Sequence, residues 1–198
     1  MSQKWLNKTS LEGTIVRLEP LEKIHEAGII DAASDGELWH LWYTSVPPPE
    51  KAEAFIDHAN SEFEKDTALP FVVIEKDSGK VVGSTRFMNA DPTSKRLEIG
   101  HTWYARSVQR TGVNTECKFL LLSYAFEELN CIAVEFRTHW HNQTSRTAIA
   151  RLGAKQDGVL RNHKIDKAGN LRDTVVFSII RSEWNTVKKN LSFKMSQK

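Results

Sequence analysis

The chain has 198 residues, enough to bury a full hydrophobic core, and reads as one domain over 1–198 with flexible ends at 1–10 and 192–198. Its 27 Lys and Arg against 25 Asp and Glu leave a net charge of +2 spread along the chain, which is no footprint for nucleic acid. Cys117 and Cys131 lie in apolar segments, as reduced cytoplasmic thiols do, and neither an apolar leader nor a run of about 18 apolar residues announces export or a membrane span.

In chain order, residues 14–19, 71–75 and 80–88 are short and β-branched or aromatic. The turn Asp77-Ser78-Gly79 joins the last two into a hairpin. Helices are expected over 22–33 and 50–65, the second with the apolar stripe Ala52, Phe55, Ile56, Ala59 and Phe63. Between them, Trp39, Trp42 and Tyr43 run into Pro47-Pro48-Pro49, an aromatic segment that proline stops. Residues 96–104 alternate, which predicts a strand with Leu97, Ile99, His101 and Trp103 on one face and Glu98, Gly100, Thr102 and Tyr104 on the other. The strongest helix spans 112–129, and a strand over 132–138 follows it, so residues 96–138 read as a crossover between parallel strands. A helix over 143–152 has Asn142 as its N-cap and Gly153 just past its end. Strands near 157–164 and 173–180 flank a turn at 166–170, and a helix over 183–191 packs Trp184, Val187 and Leu191.

The polar loop Ala105–Thr115 opens directly into the longest helix. Consecutive backbone N–H groups there, reinforced by the helix dipole, suit a pyrophosphate. Gly112 permits close approach, and Arg106 and Arg110 add positive charge. An ordinary strand-to-helix loop with one turn glycine accounts for the same segment equally well.

Two blocks carry a family resemblance. Gln109-Arg110-Thr111-Gly112-Val113-Asn114 resembles the Gln/Arg-x-x-Gly-x-Gly/Ala loop of the GNAT superfamily, with Asn114 in place of the usual small residue. The second block, Asn142-Gln143-Thr144-Ser145-Arg146 with Leu152-Gly153-Ala154 and Gly158-Val159-Leu160-Arg161, is similar to the helix and following strand of its ribosomal-protein N-terminal acetyltransferase (Rim-like) branch. The resemblance implies an α/β (α+β) fold: a mixed, mostly antiparallel sheet of about seven strands, with parallel strands 4 and 5 splayed apart and helices on both faces. It also implies acetyl-CoA as co-substrate, no metal, and direct transfer in a ternary complex to a primary amine, either a protein N-terminus or a small molecule. The cofactor would lie against Trp103, Tyr104, Gln109, Arg110, Thr111, Gly112, Val113, Asn114, Thr115, Asn142 and Ser145.

Such a transfer needs a base for the amine, donors for the oxyanion and an acid for the thiolate. Glu98, eleven residues before Gln109, stands where some family members carry a catalytic glutamate; a strand glutamate paired with Arg86 is the alternative. No tyrosine falls on the helix after the splayed strand, so Ser145 takes the acid role by resemblance, or it simply caps its helix. A backbone N–H near Trp103 or Tyr104 would serve the oxyanion. Trp39, Trp42, Tyr43 and Arg86 are the acceptor-side candidates.

Of the other chemistry-bearing residues, His139 and His141 lack further ligands nearby and read as a solvated or hydrogen-bonded pair rather than a metal site. Cys117 has no histidine partner and reads as packing. The competing function is a non-catalytic acyl-CoA sensor or partner module, and a bulkier donor such as succinyl-CoA would share the same loop. Apolar residues on the 159–180 hairpin are compatible with a homodimer.

Overall fold

The β-branched runs assemble into one eight-stranded sheet, ordered β1-β2-β3-β4-β5-β6-β8-β7. In the computed structural model, which describes residues 4–166 and 168–197, the strands are β1 Leu11–Glu12, β2 Val16–Pro20, β3 Leu69–Glu75, β4 Val81–Asp91, β5 Arg96–Tyr104, β6 Ala133–His139, β7 Lys155–Ile165 and β8 Leu171–Ile180. Seven were expected; the eighth, β1, is a two-residue pairing on the edge of β2, too short to leave a pattern. Residues 1–3 and 198 of the expected flexible ends, and residue 167 of the turn at 166–170, lie outside the described residues.

Every neighbouring pair is antiparallel except β5 and β6, which run parallel and pair only at Arg96–Ala133, Leu97–Val134 and Glu98–Glu135. Past Glu98 the two strands separate. Helices α1 Glu26–Ser34 and α2 Ala52–Glu64 cover one face of the sheet, and α3 Val113–Ser123, α4 Gln143–Leu152 and α5 Arg181–Ser196 belong to the other. Phe71, Phe87, Phe136, Leu18, Ile56 and Leu121 are fully buried between these layers, the burial that drives folding.

The helix expected to run unbroken to Leu129 ends at Ser123 and passes into a π-turn over Tyr124–Glu128. The wider turn sets Tyr124 on Phe87, with ring centroids 6.1 Å apart, and Phe126 on Trp184 of α5 at 5.2 Å. Helix α5 continues beyond Leu191 to Ser196, and Leu6 is fully buried, with the N–H groups of Trp5 and Leu6 held by Asp66.

Alternation along β5 fails at one point. Gly100 faces Arg86 and Trp103 faces Ser84, so His101 and Thr102 both stand opposite Thr85, and His101 takes φ 47°. This bulge moves His101 off the face it was expected to share with Leu97 and Ile99. Thr102 instead turns to α3, where Lys118 Nζ donates to it at 2.6 Å. His101 joins Glu98 and Gly100 on the α2 side, with its Nδ1 3.5 Å from the Ser45 hydroxyl. Trp103 follows His101, and Tyr104 follows Thr102 to the α3 side.

Candidate active site

Glu98 is the last paired residue of the parallel β5–β6 ladder, so it sits where the sheet opens. It is 6% exposed and lines a cavity of about 290 Å³ together with Asn89, Arg96, Glu135 and Arg137. Asn89 Nδ2 donates to its Oε2 at 2.8 Å, and Arg137 Nε lies 3.6 Å from the same oxygen. Desolvation pushes the carboxyl pKa above the usual range, against the smaller opposing pulls of Asn89 and Arg137. The expected partner, Arg86, is not there. Its guanidinium is 2% exposed, stacks 5.3 Å over Phe55 of α2, and is lowered to about 10 by burial. Cross-strand geometry explains the difference: Arg86 stands opposite Gly100, whereas Met88 stands opposite Glu98.

At the other end of β5, the loop before α3 is built to leave its backbone donors free. A 3-10 turn at Arg106–Val108 is tied to the end of α1, since Asp35 accepts from Ser107 N through its carboxylate at 2.9 Å and from Arg106 N through its carbonyl at 3.0 Å. Gln109 Nε2 donates to Tyr104 O at 3.0 Å, and the Thr111 hydroxyl donates to Val108 O at 2.7 Å while accepting from Val113 N. The backbone N–H groups of Arg110, Thr111, Gly112, Asn114 and Thr115 donate to no group among the described residues. This is an array at a helix N-terminus that a pyrophosphate fits. The left-handed residue of the loop is Arg110, at φ 63°, while Gly112 takes an ordinary helical φ of −69°. The side chains of Arg106, Gln109, Arg110 and Thr111 are exposed, Gly112 and Val113 are buried, and Asn114 and Thr115 are half-buried.

Helix α4 begins where β6 ends. Asn142 Oδ1 accepts from Ser145 N at 3.0 Å, a capping bond that leaves its Nδ2 without a partner among the described residues, and Gly153 closes the helix at φ 106°. The Ser145 hydroxyl, half-buried on the first turn, makes no hydrogen bond among the described residues.

The family model for the acetyltransferase (GNAT) domain matches residues 16–155. The chain belongs to the GNAT acetyltransferase family. It is 30% identical over 110 residues to a Bacillus subtilis (strain 168) protein named "Putative ribosomal N-acetyltransferase YdaF", a match spanning 56% of this chain and 59% of that protein, less than two thirds of its length. It is 29% identical over 145 residues to "Uncharacterized N-acetyltransferase p20" of Bacillus licheniformis, covering 72% of this chain and 80% of that one. Among solved structures, a GCN5-related N-acetyltransferase from Brucella melitensis superposes with TM-score 0.84 at 32% identity, covering 94% of this chain and 85% of that chain.

On the far side of the splay, this GNAT domain brings Trp42 and two histidines together. Trp42, 63% exposed, meets His139 edge-on at 4.9 Å and His141 at 5.9 Å. His141 N donates to His139 Nδ1, and burial holds the His139 imidazole below its usual pKa. Of the two readings, solvated or hydrogen-bonded, the structure shows the second, through the His141 backbone. Both histidines line a cavity of about 250 Å³ with Arg161 and Asp173. Trp39 and Tyr43 are half-buried beside Trp42 in the same loop. Trp103 is buried, and the Tyr104 hydroxyl is buried beside Cys117, whose thiol burial pushes up to about 12. That confirms Cys117 as packing.

Several residues escaped the sequence reading. Glu116 is buried and accepts from the N–H groups of Thr14, Ile15 and Val16, each at 2.8 Å, tying the β1–β2 turn to α3. Lys118 is buried beneath the β5 bulge, where desolvation lowers it to about 7. His101 is held neutral, at about 4, by burial and by Arg86. Glu116 and Lys118 do leave one signal: they are charged residues interleaved with the apolar stripe Val113, Cys117 and Leu121. Asn89, His101 and Arg137 leave none.

Proposed function

We propose that the protein is a cytoplasmic N-acetyltransferase that moves the acetyl group of acetyl-CoA directly to a primary amine within a ternary complex. The observation that carries this reading is Glu98: a buried carboxyl with a raised pKa, at the point where β5 and β6 part, beside a cavity. The free backbone N–H groups of the 110–115 loop would hold the pyrophosphate, with Arg106, Gln109 and Arg110 at its edge, and Asn142 and Ser145 would lie along the pantetheine arm. Acetyl-CoA supplies the thioester; the chain supplies the proton handling and the geometry.

An alkylammonium must lose a proton before it can attack, and Glu98 accepts it. Burial raises the carboxyl pKa above that of an exposed glutamate, which makes it a better proton acceptor, while Asn89 and Arg137 oppose the rise. The Ser145 hydroxyl, without a hydrogen-bond partner among the described residues, would donate toward the departing thiolate, and backbone N–H groups near Trp103 and Tyr104 would meet the oxyanion. Trp39, Trp42 and Tyr43 would wall the acceptor side, and Arg86, packed over Phe55 and opposite Gly100, would lie on the Glu98 face of the sheet. The ribosomal name of one relative supports a protein N-terminus as acceptor, with small amines as the other class.

The test is calorimetric titration with acetyl-CoA, followed by mass spectrometry of a panel of peptides and small amines incubated with enzyme and donor. Acetylation at an amine is the expected result. Binding with no acetylated product from any acceptor would instead favour a non-catalytic acyl-CoA sensor, and succinyl-CoA in a parallel arm separates the choice of donor.

A further inference from the structure

The β4 strand carries a second bulge, and it too points at Glu98. Met88 stands opposite Glu98 and Asp91 opposite Arg96, so Asn89 and Ala90 share the single partner Leu97. Asn89 takes φ 48°, a left-handed conformation that asparagine tolerates better than most residues. Simple alternation would send Asn89 to the face opposite Met88. The bulge instead keeps both on the Glu98 face: Met88 Sδ fills the space that a Cβ on Gly100 would need, and Asn89 Nδ2 reaches Glu98 Oε2 at 2.8 Å.

That bond is the only hydrogen bond to the Glu98 carboxyl among the described residues. Arg137 of β6 approaches the same oxygen, but at 3.6 Å. Glu135 of β6 and Lys164 of β7 act on the carboxyl through charge alone, and Asp91 and Arg96 line the same cavity. Both nearby donors therefore meet Oε2, and Oε1 has no donor among the described residues.

We infer that Asn89 is a positioning residue for the transfer: its bulge holds Glu98 by Oε2, so that Oε1 is the oxygen that takes the proton from the acceptor amine. The inference rests on the reading of Glu98 as the base. An amide N–H on Oε2 favours the ionised carboxyl and fixes its orientation, two properties that a base at the rim of an opening sheet would otherwise lack.

Two variants separate this role from a purely structural one. Asn89→Gly keeps the left-handed backbone without strain and removes the donor. Asn89→Asp keeps shape and backbone tolerance but sets a carboxylate against Oε2. The Glu98 carboxyl is titrated by carbon NMR in protein labelled at glutamate, with its resonance assigned through Glu98→Gln, and kcat/KM is profiled against pH in parallel. The NMR arm needs no acceptor. The Glu98 pKa should rise by about one unit in Asn89→Gly and further in Asn89→Asp. The acid limb of kcat/KM should move with it, activity should recover at high pH, and the KM for acetyl-CoA should not change. An unmoved Glu98 pKa in both variants, with rates lowered equally at every pH, would overturn the inference. A moved pKa alongside wild-type turnover by Glu98→Gln would overturn it differently, by removing Glu98 as the base while leaving its coupling to Asn89 intact.

Discussion

Lys118→Met should flatten the dependence of stability on pH just above neutrality. Lys118 is 5% exposed and has no carboxylate partner among the described residues; its Nζ meets the Thr102 hydroxyl at 2.6 Å and that of Thr85 at 3.4 Å. Burial lowers it from 10.5 to about 7. The unfolded chain keeps that proton up to about pH 10, whereas the fold releases it near 7, so over this window the unfolded state binds more protons and stability rises with pH. Integrated between roughly pH 7 and 8.5, the rise is about 1.5 kcal/mol. His101, at about 4 in the fold, has made its own contribution by pH 7. Cys117 and Cys131, pushed up to about 12, oppose the trend only where unfolded thiols ionise, above about pH 8.5. The Thr85 and Thr102 hydroxyls lie 2.7 Å apart, so methionine leaves each with a partner. Urea unfolding of both proteins at steps between these pH values gives the difference directly. Wild type should gain on the variant by about 1.5 kcal/mol; parallel curves would refute the claim that Lys118 sheds its proton in the fold.

Three further outcomes follow from the same contacts. Glu116→Ala strips the acceptor from three backbone N–H groups and should cost at least about 3 kcal/mol, a fall in Tm of roughly 6–12 °C by thermal unfolding. Asn142→Ala should lose about 1 kcal/mol of helix capping and weaken acetyl-CoA binding, while Asn142→Asp retains the cap, so calorimetry on the pair separates the two roles. Cys117 and Cys131, buried with raised pKa values, should react with a thiol reagent in native protein only as fast as the chain opens, and promptly in denaturant.

Where a pattern is local, the sequence was legible. Alternation located β5 at residues 96–104 and the cap-and-glycine pair located α4 at 143–152, both to the residue. The polar loop at 105–115 was legible because a strand, a polar stretch and a long helix follow one another in order, and Glu98 stood out only by its spacing from Gln109. What stayed hidden depends on distant partners. The left-handed turns at Asn89 and His101 break a two-residue period through backbone geometry that neither side chain advertises. They decide which face His101 occupies and what holds Glu98. The placing of Arg86 opposite Gly100 rather than Glu98 is a matter of register, which a β4–β5 pair with two bulges conceals. Glu116 was hidden for another reason: its partners lie about a hundred residues away, at the β1–β2 turn.

Amine-dependent release of free CoA, comparing wild type with Glu98→Gln across pH in the presence of an accepted peptide or amine, tests the central claim most directly. Wild type should turn over with an acid limb above the range of an ordinary glutamate, and the variant should lose roughly 10²-fold or more in kcat/KM while still binding acetyl-CoA. Equal turnover by the two proteins, with the same pH limb, would contradict it.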